Sequence, residues 1–211
     1  MILTGSEDIR VRKTITSIRS AFCEMICGMD YEDMTVKELC ERALINKKTF
    51  YVYYETLDDL LREVQESYSA SYIREIGEIK LPEDIGRLIR RFFEFSARQD
   101  EAYEKITCAA SYHAIRGAMI SKVIGQTLIS GGSDLPAPAA EIPSVSPGFS
   151  PFQNRITYRF WTETVLMIYT EWIREGKHTP LEDVIDYATG LILNGIDDFI
   201  IKKASYDMFM G

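Results

Sequence analysis

Apolar residues recur at helical spacing along almost the whole chain, and strict apolar–polar alternation never persists long enough to predict a strand. The first stripe is Val11, Ile15, Ile18, Phe22 and Met25. It predicts a helix from about Asp8 to Gly28, with Arg10, Arg12, Lys13 and Arg19 off the stripe. A shorter stripe follows at Val36, Leu39, Cys40 and Ala43. Thr35 stands before it as an N-cap with Glu38 three places on, which makes a capping box. The pattern breaks after Ala43. Asn46 is a second cap, so a new helix is expected from Lys47 through Tyr53 or Tyr54, with Phe50 inward and Tyr51 and Tyr53 outward. Leu60, Leu61, Val64, Tyr68 and Tyr72 then carry a long helix from Leu57 to about Lys80, where Leu81-Pro82 stops it.

Beyond this, Ile85, Leu88, Ile89, Phe92 and Phe93 predict a helix from Glu83 to Ala97, and the run from Glu101 to Ile129 predicts a short helix and then a longer one. Residues 130–151 hold five of the seven prolines and three glycines without helical spacing. A flexible loop is expected there, with a pocket cover or a partner-facing arm as alternatives. The last two helices, about 152–176 and 179–203, are apolar over more than one stripe, and Gly190 and Gly195 would admit a close neighbouring backbone. Such helices suit a four-helix bundle with symmetry mates; the plain alternative is the core of a monomer. The expected fold is all-α: an N-terminal three-helix head at 1–56, joined by the long helix to a helical body at 57–211.

Charge changes the picture little in total and more in detail. The chain carries −8, of which residues 1–62 contribute −2, yet residues 10–48 hold eight basic side chains against six acidic ones. The basic residues gather at helix starts, where backbone N–H groups already favour an anion. In the second of two short helices separated by a tight turn, Lys47, Lys48 and Thr49 form a first turn able to donate to phosphate oxygens or base edges in a major groove. Affinity for DNA follows such a local patch more than the total. For Arg10, Arg12 and Lys13 a solvated face is an equally good reading.

The order Ala43, Asn46, Thr49, Phe50, Tyr51 and Tyr54, followed by Asp58, Asp59, Leu60 and Leu61, resembles the TetR/AcrR-type transcriptional regulators. Trp172, Ile173 and Gly176 resemble the end of that family's eighth helix. The chain departs from the pattern at Leu44, where the family has Gly in the turn, and at Leu57, where it has Lys. Val52 and Tyr53 replace its usual basic and His pair. The resemblance implies a homodimer on a near-palindromic double-stranded operator, with recognition helices about 34–36 Å apart. It also implies release by a small-molecule effector and, most often, a repressor. The expected DNA contacts are Lys47, Lys48 and Thr49, then Thr35, Lys37, Asn46, Tyr51 and Tyr53, and in the first helix Arg10, Arg12 and Lys13. Aromatic or polar residues on otherwise apolar body helices are the effector-site candidates: Phe92, Phe95, Tyr103, Tyr112, His113, Arg116, Met119, Trp161 and Tyr169.

Other chemistries find little support. Four cysteines without regular spacing suit a reducing compartment, and Cys23 and Cys27, at i and i+4, lack nearby histidines to complete a metal site. Two histidines, no Gly-rich phosphate loop and no His/Glu metal box argue against an enzyme, and no metal or cofactor is expected. With no apolar run of about 18 residues and an acidic N-terminus, the expected location is the cytoplasm. The rival from another class is a helical protein-interaction adaptor, or a TetR-like chain that has lost specific DNA binding. Leu44, Leu57 and the net acidity favour it.

Overall fold

The computed structural model describes residues 8–77, 83–108 and 148–210, with side chains as far as Gly195. Among these residues there are eight α-helices and no strand, so the all-α expectation is met. They are α1 (Ile9–Gly28), α2 (Val36–Arg42), α3 (Lys47–Tyr53), α4 (Leu57–Ile76), α5 (Ile85–Ser96), α6 (Glu101–Cys108), α7 (Pro151–Arg174) and α8 (Leu181–Met210). A single 3-10 turn, Tyr31–Asp33, follows α1. The expected end of α4 near Lys80, the second helix of 101–129 and most of the Pro-rich loop lie outside the described residues.

The chain divides into two compact units, Met1–Ser71 with Gln99–Met119, and Tyr72–Arg98 with Ile120–Gly211. The expected boundary at 56/57 therefore falls inside the first unit. The reason is packing: the core built on Ile18, Phe22, Met25, Leu39 and Phe50 continues through Leu60, Leu61 and Val64 of α4 and through Ala102 and Ile106 of α6. Local signals mark where one helix ends, but a core is closed by residues far apart in sequence.

Within the first unit, Asp8 caps α1 by accepting from the Arg10 backbone N–H at 2.8 Å. The Ser17 hydroxyl donates to the Ala43 carbonyl at 2.8 Å, and Lys105 Nζ to the Cys27 carbonyl at 2.6 Å, so α1 is tied to the end of α2 and to α6. The link from α3 to α4 is short and held at both ends. Tyr54 is buried, its hydroxyl donates to buried Glu63 at 3.0 Å, and burial and the Glu63 charge both push its pKa up. Thr56 and Asp59 then cap α4 reciprocally: the Asp59 N–H donates to Thr56 Oγ1 at 3.1 Å, and the Thr56 N–H to Asp59 Oδ2 at 3.0 Å. The Thr56 hydroxyl, which also donates to Asp59, is the largest cause holding that carboxyl below its usual range. Tyr31 donates to Asp58 across the same junction.

In the second unit α5 buries Ile85, Ile89, Phe93 and Phe95, α7 buries Tyr158, Leu166, Ile168, Tyr169 and Trp172, and α8 buries Val184, Ile185, Ala188 and Ile192. Arg90 of α5 reaches Glu182 of α8 at 2.7 Å. Ser150 and Gln153 form a capping box, and Pro151 occupies the first helical position, where its missing N–H costs nothing. The last residue assigned to the loop is thus already helical. Gly195 also differs from expectation: with φ 74° and ψ 177° it breaks α8, a conformation open to Gly and closed to most residues, rather than offering a close-packed helical face.

Candidate nucleic-acid interface

α2 and α3 are both seven residues long and both have the expected N-cap, but the expected capping box of α2 is only half made, because the Glu38 carboxylate accepts from Arg42 at 2.8 Å. The Glu38 N–H donates to Thr35 Oγ1 at 3.2 Å, and the Thr49 N–H to Asn46 Oδ1 at 2.8 Å. Between them the chain turns in a Schellman motif: the Leu44 N–H donates to the Glu41 carbonyl at 3.3 Å and the Ile45 N–H to the Cys40 carbonyl at 3.0 Å. This motif needs a left-handed residue, and Leu44 adopts it with φ 56°. The end of α7 closes with the same pair of bonds, Gly176 to Ile173 at 3.0 Å and Lys177 to Trp172 at 2.9 Å, but there Gly176 takes the equivalent position.

α3 is fixed by Phe50, which is wholly buried against Tyr54 and the α1 core. Lys47 and Lys48 are exposed, as are Tyr51 and Val52, each four residues further on and so on the same outward face. Thr49 is half-buried, and its hydroxyl donates to Asn46 at 3.1 Å. Tyr53 does not face outward as expected. Three residues after Phe50, it lies on the same side of the helix and packs against the head core. Val52 takes the outward place instead; the sequence signal for it was its i+4 spacing from Lys48.

The electrostatics separate the two helices. On α2, Arg42 pairs with Glu38 at 2.8 Å and Lys37 with Glu41 at 3.9 Å. On α3, neither Lys47 nor Lys48 has an ion-pair partner among the described residues, and residues 42–54 contain no Asp or Glu at all. α1 repeats this. Residues 9–23 hold Arg10, Arg12, Lys13 and Arg19 and no carboxylate, and the first three side chains are exposed. Two acid-free basic runs thus occur in one unit of an otherwise acidic chain. Thr35 is exposed, with its hydroxyl engaged as a cap.

Of the effector candidates, three come together in the second unit. Phe92 lies 5.6 Å from Tyr169 and 6.3 Å from Tyr72, and Phe95 lies 5.3 Å from Tyr72, ring centre to ring centre. Tyr169 is fully buried, and its hydroxyl reaches the Ser96 carbonyl at 3.5 Å. Trp161 pairs instead with Tyr158, whose buried hydroxyl has no partner among the described residues. Tyr103 is in α6, which belongs to the first unit, and there it packs on Tyr68 at 5.0 Å. Tyr112, His113, Arg116 and Met119 lie outside the described residues. A cleft of about 390 Å³ beside α3 and α4, lined by Tyr53, Tyr54, Glu55, Asp59, Arg62, Glu63 and Glu66, carries four carboxylates and one guanidinium, an unsuitable lining for an anion. Among the described residues no group of three or more His, Cys, Asp or Glu side chains is placed to hold a metal ion, and no helix is long and apolar enough to cross a membrane.

No family model matches the sequence, and no curated protein matches it. Solved structures do match. The fatty acid degradation regulator FadR from Bacillus halodurans covers 87% of this chain and 96% of its own at 15% identity, with a TM-score of 0.60. The transcriptional regulator FadR from Bacillus subtilis, solved in complex with stearoyl-CoA, covers 86% and 98% at 16% identity, TM-score 0.58. A protein described as a TetR-family transcriptional regulator from Syntrophomonas wolfei covers 86% and 94% at 14% identity, TM-score 0.62. The chain has the TetR-type fold. At these identities the likeness is one of fold, and the structure explains which residues carry it. Ala43 caps α2 and is buried, Asn46 caps α3, Thr49 bonds to that cap, and Phe50 and Tyr54 are core. The TetR-type signature in this sequence is therefore mostly architectural. Of its residues between 43 and 54, Tyr51 and the Asn46 cap stand exposed.

Proposed function

We propose that this chain is a DNA-binding transcription regulator, a repressor that sits on a near-palindromic operator as a homodimer and is released by a small molecule. The observation that carries this reading is the outward face of α3: two lysines without ion-pair partners among the described residues, beside Tyr51 and Val52, in a segment free of carboxylates. A phosphate backbone is the polyanion such a face suits, and base edges in the major groove are within reach of a helix presented this way. Arg10, Arg12 and Lys13 add backbone contacts from α1, while Thr35 and Asn46 hold the two helices in place.

Homodimerisation is assigned to α7 and α8. Phe152, Ile156, Phe160 and Met167 are exposed and fall on one stripe of α7, the kind of apolar surface that a partner covers. The effector is assigned to the second unit. Its ring cluster of Tyr72, Phe92, Phe95 and Tyr169 favours an apolar or aromatic molecule, and the stearoyl-CoA held by the Bacillus subtilis neighbour supports the same chemistry. The last turn of α4, residues 72–76, belongs to the second unit and the rest of the helix to the first, so an effector that displaces that turn changes the setting of the rest. In this reading residues 1–56 bind DNA, residues 57–211 sense and dimerise, and the protein works in the cytoplasm without catalysis.

The test is selection of duplexes from a random library by the full chain, followed by fluorescence anisotropy at several salt concentrations. Retention of one sequence with a steep loss in salt supports the regulator. Flat, negligible binding at every salt concentration sinks it and favours the adaptor, for which the exposed apolar Leu44 and Val52 speak. Sedimentation velocity checks the oligomer: a species near 24.2 kDa at micromolar concentration contradicts the homodimer.

A further inference from the structure

Two apolar side chains, four residues before and four residues after Lys48 in the sequence, stand in solvent. Leu44, in the turn before α3, is 91% exposed, and Val52, one helical turn beyond Lys48, is 70% exposed. Neither contributes to the head core, whose buried members and packed neighbours include Ala43, Ile45, Phe50, Tyr53 and Tyr54 but not these two. Leu44 is also in a strained place. It holds the left-handed position of a Schellman turn with φ 56°, where Gly176 serves the same motif at the end of α7. A leucine there carries a backbone penalty without gaining burial, and strain that stabilises nothing in the fold points to a use outside it.

The surroundings narrow that use to one partner. The segment 42–54 bears Arg42, Lys47 and Lys48 and no acid, so the apolar pair is set in positive charge and suits a polyanion that also displays methyl groups. Duplex DNA does so in its major groove, where thymine exposes its C5-methyl beside the O4 acceptor. We propose that Val52 and Leu44 form an apolar reading edge that packs on thymine methyl groups. Methyl positions then specify the half-site together with the hydrogen bonds from Lys47, Lys48 and Tyr51. This rests on the regulator reading above and adds to it the base chemistry that the chain selects.

The experiment begins with duplexes selected from a random library by the full chain. Each thymine of the selected half-site is then replaced in turn by deoxyuridine, which removes one methyl group and leaves every hydrogen-bonding group and charge. At one or two positions per half-site the wild-type protein is expected to lose affinity by about three- to five-fold, the worth of one buried methyl. Val52→Ala should bind the thymine duplex more weakly and lose nothing more at its own position, the signature of a coupled pair. Leu44→Gly should bind more weakly while melting at a higher temperature, two changes of opposite sign that a purely structural role does not produce. Equal binding of uracil and thymine duplexes at every position overturns this inference and leaves the regulator reading standing, as does a Val52→Ala loss that is the same on both. Failure to select any duplex overturns the regulator reading, and this inference with it.

Discussion

α2 and α3 are a matched pair that differ in one respect. Each has seven residues, a side-chain N-cap and buried apolar anchors facing the same core. α2 neutralises itself, with its two cations paired to its two carboxylates one turn away, whereas α3 has two cations and no anion. Folding accounts for everything that the helices share. It does not account for unbalanced charge on an exposed face, which does little for stability and matters when another molecule arrives. On the proposed function, that contrast is the reason α3, rather than α2, is taken as the helix that meets the DNA.

The largest effects should come from what the two helices have in common. Leu39→Ala in α2 and Phe50→Ala in α3 each empty a fully buried site, and denaturant melts should show losses of about 2–5 and 3–5 kcal/mol respectively. A much smaller loss at either position would break the pairing. Next comes the difference between them. Lys47→Ala with Lys48→Ala removes two cations from each subunit and should make the salt dependence of DNA binding by the homodimer shallower by about four units in the log–log slope, and Lys37→Ala should leave it unchanged. Equal slopes for the two variants would remove the contrast. Thr35→Ala and Asn46→Ala should each lower stability by about 1 kcal/mol in a urea titration, as expected for lost N-caps. A change of similar size is expected at the turn. Leu44→Gly should raise stability by about 1 kcal/mol, while Gly176→Ala in the equivalent turn of α7 should lower it by a similar amount. A fall in stability for Leu44→Gly would mean that the leucine holds the turn.

The features legible in the sequence are those decided within one or two helical turns. The Thr35 and Asn46 caps, the α1 stripe and the inward Phe50 all follow from near neighbours, and the structure places them as expected. Features decided across the chain were not legible. Tyr103 looks like one more ring on an apolar helix, yet its partner Tyr68 is 35 residues earlier and in the other unit from Phe92. The 56/57 boundary is a true helix start, but Leu60, Leu61, Ala102 and Ile106 carry the first core past it. Tyr53 carries a hydroxyl suited to solvent, but its position three residues after the inward Phe50 turns it to the core. Gly195 reads as a small residue for close packing, and nothing in its neighbours shows that φ turns positive there.

The three residues joining α3 to α4 leave no slack. Tyr54 is anchored through its ring and its hydroxyl, and Thr56 locks the first turn of α4 from both sides. Such a joint behaves as a weld rather than a pivot. On the proposed function, a shift of the first turns of α4 would carry α3 with it through these bonds, because both helices share the first unit's core.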